Sequence, residues 1–140
     1  MGIDLGSRRI GVAVSDASGV LASPYEVVAR SGDVALDHRR LAAIVAEVEA
    51  GLVVVGLPLS LDGSVGPAAA AALAEVETLR EVLDVAVETQ DERFTTVSAD
   101  RSMMARKMKA PARRKVVDKV AAAILLQAWL DGAAARRARS

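Results

Sequence analysis

The sequence contains no cysteine, a single histidine and only three aromatic residues, Tyr25, Phe94 and Trp129. The lack of cysteine excludes a disulfide framework, a zinc–thiolate centre and a cysteine nucleophile. With so few aromatics, base stacking along a single strand is not expected as the main mode of nucleic-acid binding. The longest apolar runs, such as Val120–Leu126, fall short of the roughly 20 residues needed to span a bilayer. The first residues lack the basic-then-apolar pattern of a secretion signal. A cytoplasmic protein without membrane association is therefore expected.

What is present is the composition of one globular domain: 140 residues, 52% hydrophobic and 26% charged, with room for a substantial core. The formal net charge is zero, but it is unevenly placed. Residues 1–92 hold 6 Lys and Arg against 15 Asp and Glu, and residues 93–140 hold 12 against 3. Such asymmetry suggests an anionic partner for the basic part. The neutral total does not argue against nucleic acid.

Periodicity and turn chemistry resolve the chain into the order β β β α β α β α α. Met1–Ile3 and Ile10–Val14 are apolar runs joined by a glycine-containing turn with two arginines, and together they read as a hairpin. Leu21–Ala29 reads as a third strand, with Ser23–Pro24 suited to its start or an edge position. Asp33 offers a helix cap, after which Leu41, Ile44, Val45 and Val48 share one helical face up to Gly51. Leu52–Val55 suits a buried central strand. A loop from Gly56 to Gly66 leads to Pro67, which stands where a first helical turn tolerates proline, and Ala68–Leu83 has strong helix propensity. Val85–Glu88 reads as the fifth strand, and Thr95 or Thr96 can cap another helix to about Ala105. Arg106–Lys115 reads as a basic connector, and the last helix as about Val116 to Asp131. The expected fold is α/β: a five-stranded mixed sheet with helices on both faces, in one domain over residues 1–131. Residues 132–140 are expected to form a flexible basic tail.

Three acids are candidates for chemistry. Asp4 stands near the end of the first strand, Glu92 follows the fifth, and Asp118 lies in the first turns of the last helix. Ionised side chains are seldom buried without a partner, so Asp4 calls for a cation. If the first and fifth strands meet at one end of the sheet, Asp4 and Glu92 share that end. Asp118 can then join them from a helix packed across the sheet, which the small Ala121, Ala122 and Ala123 allow to sit close. Three carboxylates without histidine suit Mg²⁺ or Mn²⁺ rather than zinc. Each acid also has an ordinary explanation: a helix N-terminal charge for Asp118, a surface pair with Arg93 for Glu92, a turn residue for Asp4. Spacing alone leaves both accounts open.

Four stretches are more specific together than apart. GIDLGSRRIGVAVSD, VVGLPLSLDGSVGPAA, DERFTTVSA and VDKVAAAILLQAWLD run in this order from Gly2 to Asp131. Together they resemble the YqgF/RuvX family, whose members are described as pre-16S rRNA nucleases and Holliday junction resolvases. The resemblance implies an RNase H-like fold and metal-dependent nuclease chemistry, with Asp4, Glu92 and Asp118 as the catalytic, metal-holding acids. Two departures stand out: Met1 falls inside the first motif, so the first strand is expected to be short, and Lys119 stands where small or polar residues are more usual.

Around the acids, Arg8 and Arg9 are candidates to contact the scissile phosphate and Arg93 to orient Glu92. Thr95 and Thr96 are caps first and phosphate ligands second. Asp16 could stand near the site, but a hairpin-end acid is more often just a turn residue, and Asp91 leaves the same two readings open. The loop Gly56–Gly66 lacks the Gly-Lys-Ser/Thr ending of a P-loop and reads as substrate-facing. His38, beside Arg39 and Arg40, is expected to be solvated. Arg106, Lys107, Lys109, Arg113, Arg114 and Lys115 form a basic run without an acid, suited to sequence-independent phosphate contacts.

A nuclease acting on a structured RNA precursor is expected, with branched DNA as the alternative substrate and a monomer or homodimer as the working unit. A non-cleaving nucleic-acid-binding factor in transcription or ribosome maturation is the rival from another class. Sugar-kinase-like ATPases also open on an Asp-x-Gly hairpin, but 140 residues leave no room for the second lobe they need to enclose nucleotide.

Overall fold

The computed structural model describes residues 1–94 and 110–139; of Phe94 and residues 110–118 it describes the backbone alone. The strands are β1 (Gly2–Leu5), β2 (Arg9–Ser15), β3 (Ala22–Ala29), β4 (Leu52–Leu57) and β5 (Ala86–Asp91). The helices are α1 (Val34–Glu47), α2 (Pro67–Val82) and α3 (Ala110–Arg139), and a 3₁₀ turn spans Glu92–Phe94. The sheet order is β3-β2-β1-β4-β5, antiparallel across β3, β2 and β1 and parallel across β1, β4 and β5. This is the expected mixed sheet. Pro24 lies on the edge strand β3 beside a register shift at Val12/Ala13, where proline disturbs the ladder least.

Local chemistry sets the element ends. The Asp33 carboxylate accepts from the N–H groups of Ala35 and Leu36 at 3.0 and 3.3 Å, the cap that starts α1. Pro67 opens α2, where its missing N–H would have found no helical partner anyway.

The strands bury both faces. Ile3, Ile10, Val12, Val53 and Val55 form one core with Leu41 and Ile44 of α1 and Val76 and Leu79 of α2. Ala13 and Val54 form another with Ala122, Ala123, Leu126 and Leu130 of α3. A Cβ on Gly2 would lie 2.8 Å from the Leu126 Cβ and 3.0 Å from the Ala122 carbonyl oxygen. Glycine on the strand and alanine on the helix thus bring α3 down onto β1.

Three expectations need correction. The basic run is not all connector, because α3 begins at Ala110 and takes in Arg113, Arg114 and Lys115. Pro111 falls in its first turn, the one stretch of a helix that tolerates proline. Nor does the helix stop at Asp131: it continues to Arg139, through alanines and arginines of high helix propensity. Ala133 is buried, and arginines near the end complement the helix dipole. Finally, His38 is not solvated but 0% exposed. It shares a helical face with Leu41 and Val45, both in the core, so helical phase outweighs the charge of its neighbours. The expected helix from Thr95 to Ala105 lies outside the described residues.

Candidate active site at the C-terminal ends of β1 and β4

Alternation along β1 sends Ile3 into the α1/α2 core and leaves Gly2 and Asp4 on the α3 face. Asp4 is 7% exposed, and it is the one buried acid on that face among the described residues. In the parallel register Gly2 faces Val54 and Ile3 faces Val55, so Asp4 stands level with Gly56 one step further on. Glu92 reaches the same point from the other side. It lies in the 3₁₀ turn after β5, and its Oε1 comes within 2.6 Å of where a Gly56 Cβ would be. Leu125 Cδ2 lies 2.9 Å from that same position. Glycine at position 56 therefore leaves the space that the Glu92 carboxylate occupies, next to Asp4 and beneath α3.

α3 runs back along β1. Its later residues Leu126, Trp129 and Leu130 surround a cavity with Met1 and Leu52 at the N-terminal ends of β1 and β4, and Trp129 Nε1 donates to Glu88 at 3.0 Å. Residues before Ala122 consequently extend towards the Asp4 end. Position 118 stands one turn before Ala122, about 6 Å along the helix, and Asp4 about 6.6 Å along the strand from Gly2. The Asp118 side chain itself lies outside the described residues, and among these no three Asp, Glu or His side chains converge on one point.

Arg93, expected to orient Glu92, is tied to the residue just before that acid, Asp91. Its Nε and Nη2 fork onto Asp91 at 3.0 and 2.8 Å, while its N–H donates to the same carboxylate at 2.9 Å. Arg93 Nη1 donates to the Leu61 carbonyl at 3.3 Å. The hydrogen bonds from Arg93 hold the Asp91 carboxyl below its ordinary value, and Asp91 in turn raises Arg93. Arg93 thus fixes the turn that carries Glu92 and ties it to the loop after β4. That loop is itself ordered: Gly63 N–H donates to Ser60 O at 2.8 Å, Ser60 N–H to Ser64 O at 3.0 Å, and Ser64 N–H to the Asp62 carboxylate at 2.9 Å.

Gly6 N–H donates to Arg9 O at 3.0 Å and closes the β1–β2 turn. This leaves Arg8 exposed and Arg9 half-buried at the same end of the sheet. Asp16 lies at the opposite end of β2, accepting from Val20 N–H at 2.8 Å and Ser18 Oγ at 2.9 Å. Those bonds hold its carboxyl below the ordinary value and make it a turn acid away from the site. Thr95, Thr96, Arg106, Lys107 and Lys109 lie outside the described residues. Arg113, Arg114 and Lys115 are on α3, their side chains likewise undescribed. The role of Gly56 and the cluster of Arg30, Glu75 and His38 escaped sequence reasoning. The first has no local signal beyond a glycine ending an apolar run, and the second draws on three separate elements.

The profile of the RuvX family, described as Holliday junction resolvase, matches residues 1–132. A protein of Nocardia farcinica named "Putative pre-16S rRNA nuclease" is 50% identical over 137 residues, spanning 94% of this chain and 76% of the relative. One of Myxococcus xanthus with the same name is 45% identical over 131 residues, spanning 94% and 86%. Among solved structures, Thermus thermophilus RuvC in complex with a Holliday junction substrate superposes with a TM-score of 0.57 at 21% identity, over 92% of this chain and 90% of that one. At that identity the likeness is one of fold.

Proposed function

The chain belongs to the RuvX family, and from that premise we propose that it is a metal-dependent nuclease cutting phosphodiester bonds in structured nucleic acid, pre-16S rRNA above all. The observation that carries this reading is the meeting of Asp4 and Glu92 at Gly56, under a helix that has Asp118 one turn further out. Nothing in packing calls for two carboxylates there.

Asp4, Glu92 and Asp118 are the proposed holders of Mg²⁺ or Mn²⁺. The donor set fits: it is all carboxylate oxygen, and the absent Gly56 Cβ leaves room for it. Bound there, such an ion supplies an activated water and charge neutralisation at the phosphate. The protein's own part is to hold the carboxylates rigidly. Asp4 is fixed by the central strand, and Glu92 by a turn locked through the Arg93–Asp91 fork. Arg8 and Arg9, at the same end, contact substrate phosphates. Arg93 orders the loop beside the site, and the basic residues from Arg106 to Lys115, with Thr95 and Thr96, grip the backbone without sequence choice.

The family description supports branched DNA as a second substrate class. That role requires two active sites, and hence a dimer. The protein acts in the cytoplasm on this reading; among the described residues no helix is long and apolar enough to cross a membrane.

The test is a panel of RNA precursor, RNA hairpin and four-way DNA junction with Mn²⁺, run beside Asp4→Asn and Asp118→Asn. Cleavage of RNA that disappears with EDTA and in both variants, with binding retained, is expected. Undiminished cutting by both variants would refute the site. Binding without cutting by the wild type would leave the non-cleaving factor.

A further inference from the structure

Beneath the β1–β2 turn, on the α1/α2 side, lies a polar cluster that the nuclease chemistry leaves unused. Arg30, just after β3, makes contacts in three directions. Its N–H donates to Arg8 O at 2.9 Å, and its Nε donates to Gly6 O at 3.0 Å. Its Nη1 and Nη2 fork onto Glu75 of α2 at 2.7 and 2.9 Å. His38 of α1, fully buried, directs Nε2 at the same Glu75 carboxylate at 2.8 Å. Since an ionised carboxylate only accepts, Nε2 is the donor. Asp37 accepts from Ser31 N–H at 3.0 Å and so anchors the chain next to Arg30.

Stability alone does not account for this arrangement. Desolvating an ion pair offsets much of its attraction, and a well-packed apolar pair is often as stable. A lysine at position 30 would also supply the charge. Only the planar, multi-donor guanidinium can hold Glu75 with its fork and a backbone carbonyl with its Nε at once. The carbonyl it holds is that of Gly6, two residues after Asp4 and two before Arg8. Burial pushes the Glu75 carboxyl up, but bonds to Arg30 and His38, with their charge, outweigh it and keep the group below its ordinary value.

We infer that Arg30, locked by Glu75 and His38, is a positioning clamp for the β1–β2 turn and thereby for Asp4, Arg8 and Arg9. Its hold on the turn stands on geometry alone; its part in the reaction rests on the nuclease reading above. The clamp couples the two layers of the molecule, because helices on one face fix the turn that serves the other.

The test reads amide hydrogen exchange residue by residue in the full chain, for Arg30→Lys, Glu75→Gln and the double variant, with cleavage of the RNA precursor measured alongside. The Gly6 N–H, bonded to Arg9 O, is expected to exchange about tenfold faster in each single variant, as for the loss of one bond to a charged group. Val54 and Val55 in β4 keep their wild-type rates. The double variant is no worse than the worse single one, because both act through one contact. His38→Gln, which keeps an N–H donor, preserves protection where His38→Leu loses it, and cleavage falls in step with the loosened turn. Unchanged exchange at Gly6, or equal acceleration across the sheet, overturns the clamp. Full-rate cleavage by a variant with a loosened turn overturns its part in the reaction. If the wild type cuts none of the substrates, the nuclease reading fails by itself and the exchange pattern alone decides the clamp.

Discussion

On the α1/α2 side of the sheet, Ile3, Val53 and Val55 pack against Leu41, Ile44 and Leu79, all at 0% exposure. On the α3 side the same two strands turn out Gly2, Asp4, Val54 and Gly56, and meet Ala122, Leu125 and Leu126. The first side is filled with branched aliphatic volume, at roughly 25 cal/mol for each Å² removed from water. The second gives up side-chain volume, which draws a helix backbone close and leaves space for carboxylates. Stability and the proposed chemistry thus fall on opposite sides of the same four- and six-residue strands.

The sharpest break of this contrast is Asp4→Asn. It keeps the shape of the side chain and is expected to lower cleavage about a thousandfold, roughly 4 kcal/mol of barrier, with little change in melting temperature. Single-turnover cleavage and a thermal melt on one preparation check it. The converse change is Leu79→Ala, which removes a fully buried side chain from the other face. It should cost about 2–5 kcal/mol in chemical denaturation and leave the cleavage rate per folded molecule unaltered. Gly56→Ala falls between the two, because its new Cβ would meet Glu92 Oε1 at 2.6 Å and Leu125 Cδ2 at 2.9 Å. It is expected to cost about 1–3 kcal/mol and also to slow cleavage by displacing Glu92, an effect on both readouts that neither of the others shows.

The smallest effect is on pH. Burial raises the Glu75 carboxyl and the bonds from Arg30 and His38 more than reverse this, while the bonds from Arg93 lower Asp91. A carboxylate held low in the folded state favours folding above its unfolded value, and this contribution fades as pH falls through the folded value. Melting temperature should therefore stay level from pH 7 to about 5 and decline below about 4. In Glu75→Gln the decline is shallower; an equally steep decline would mean that Glu75 contributes nothing to it.

Much of the fold was legible because burial leaves a one-dimensional trace. The apolar run of β4, the alanines of α2 and the cap at Asp33 each announce their element locally. Asp4 and Glu92 could be picked out as odd acids at strand ends, and the motifs around them named their family. Other features left no such trace. Arg93 forks onto Asp91 and also reaches the Leu61 carbonyl, more than thirty positions away, a contact that only the folded loop supplies. His38 sat among charges in the sequence while its helical phase pointed it at the core.

The sequence by itself determined the order of the five strands and of the helices among the described residues, the family and the three acids proposed for the metal, because periodicity, capping and motif spacing are properties of neighbouring residues. Tertiary structure alone decided that Glu92 lies over Gly56 beside Asp4, that α3 descends onto Gly2, and that Arg30 just after β3, Glu75 from α2 and His38 from α1 close beneath the first turn. Those contacts join residues tens of positions apart, and only the register between strands and the depth of helix packing bring them within a hydrogen bond of one another.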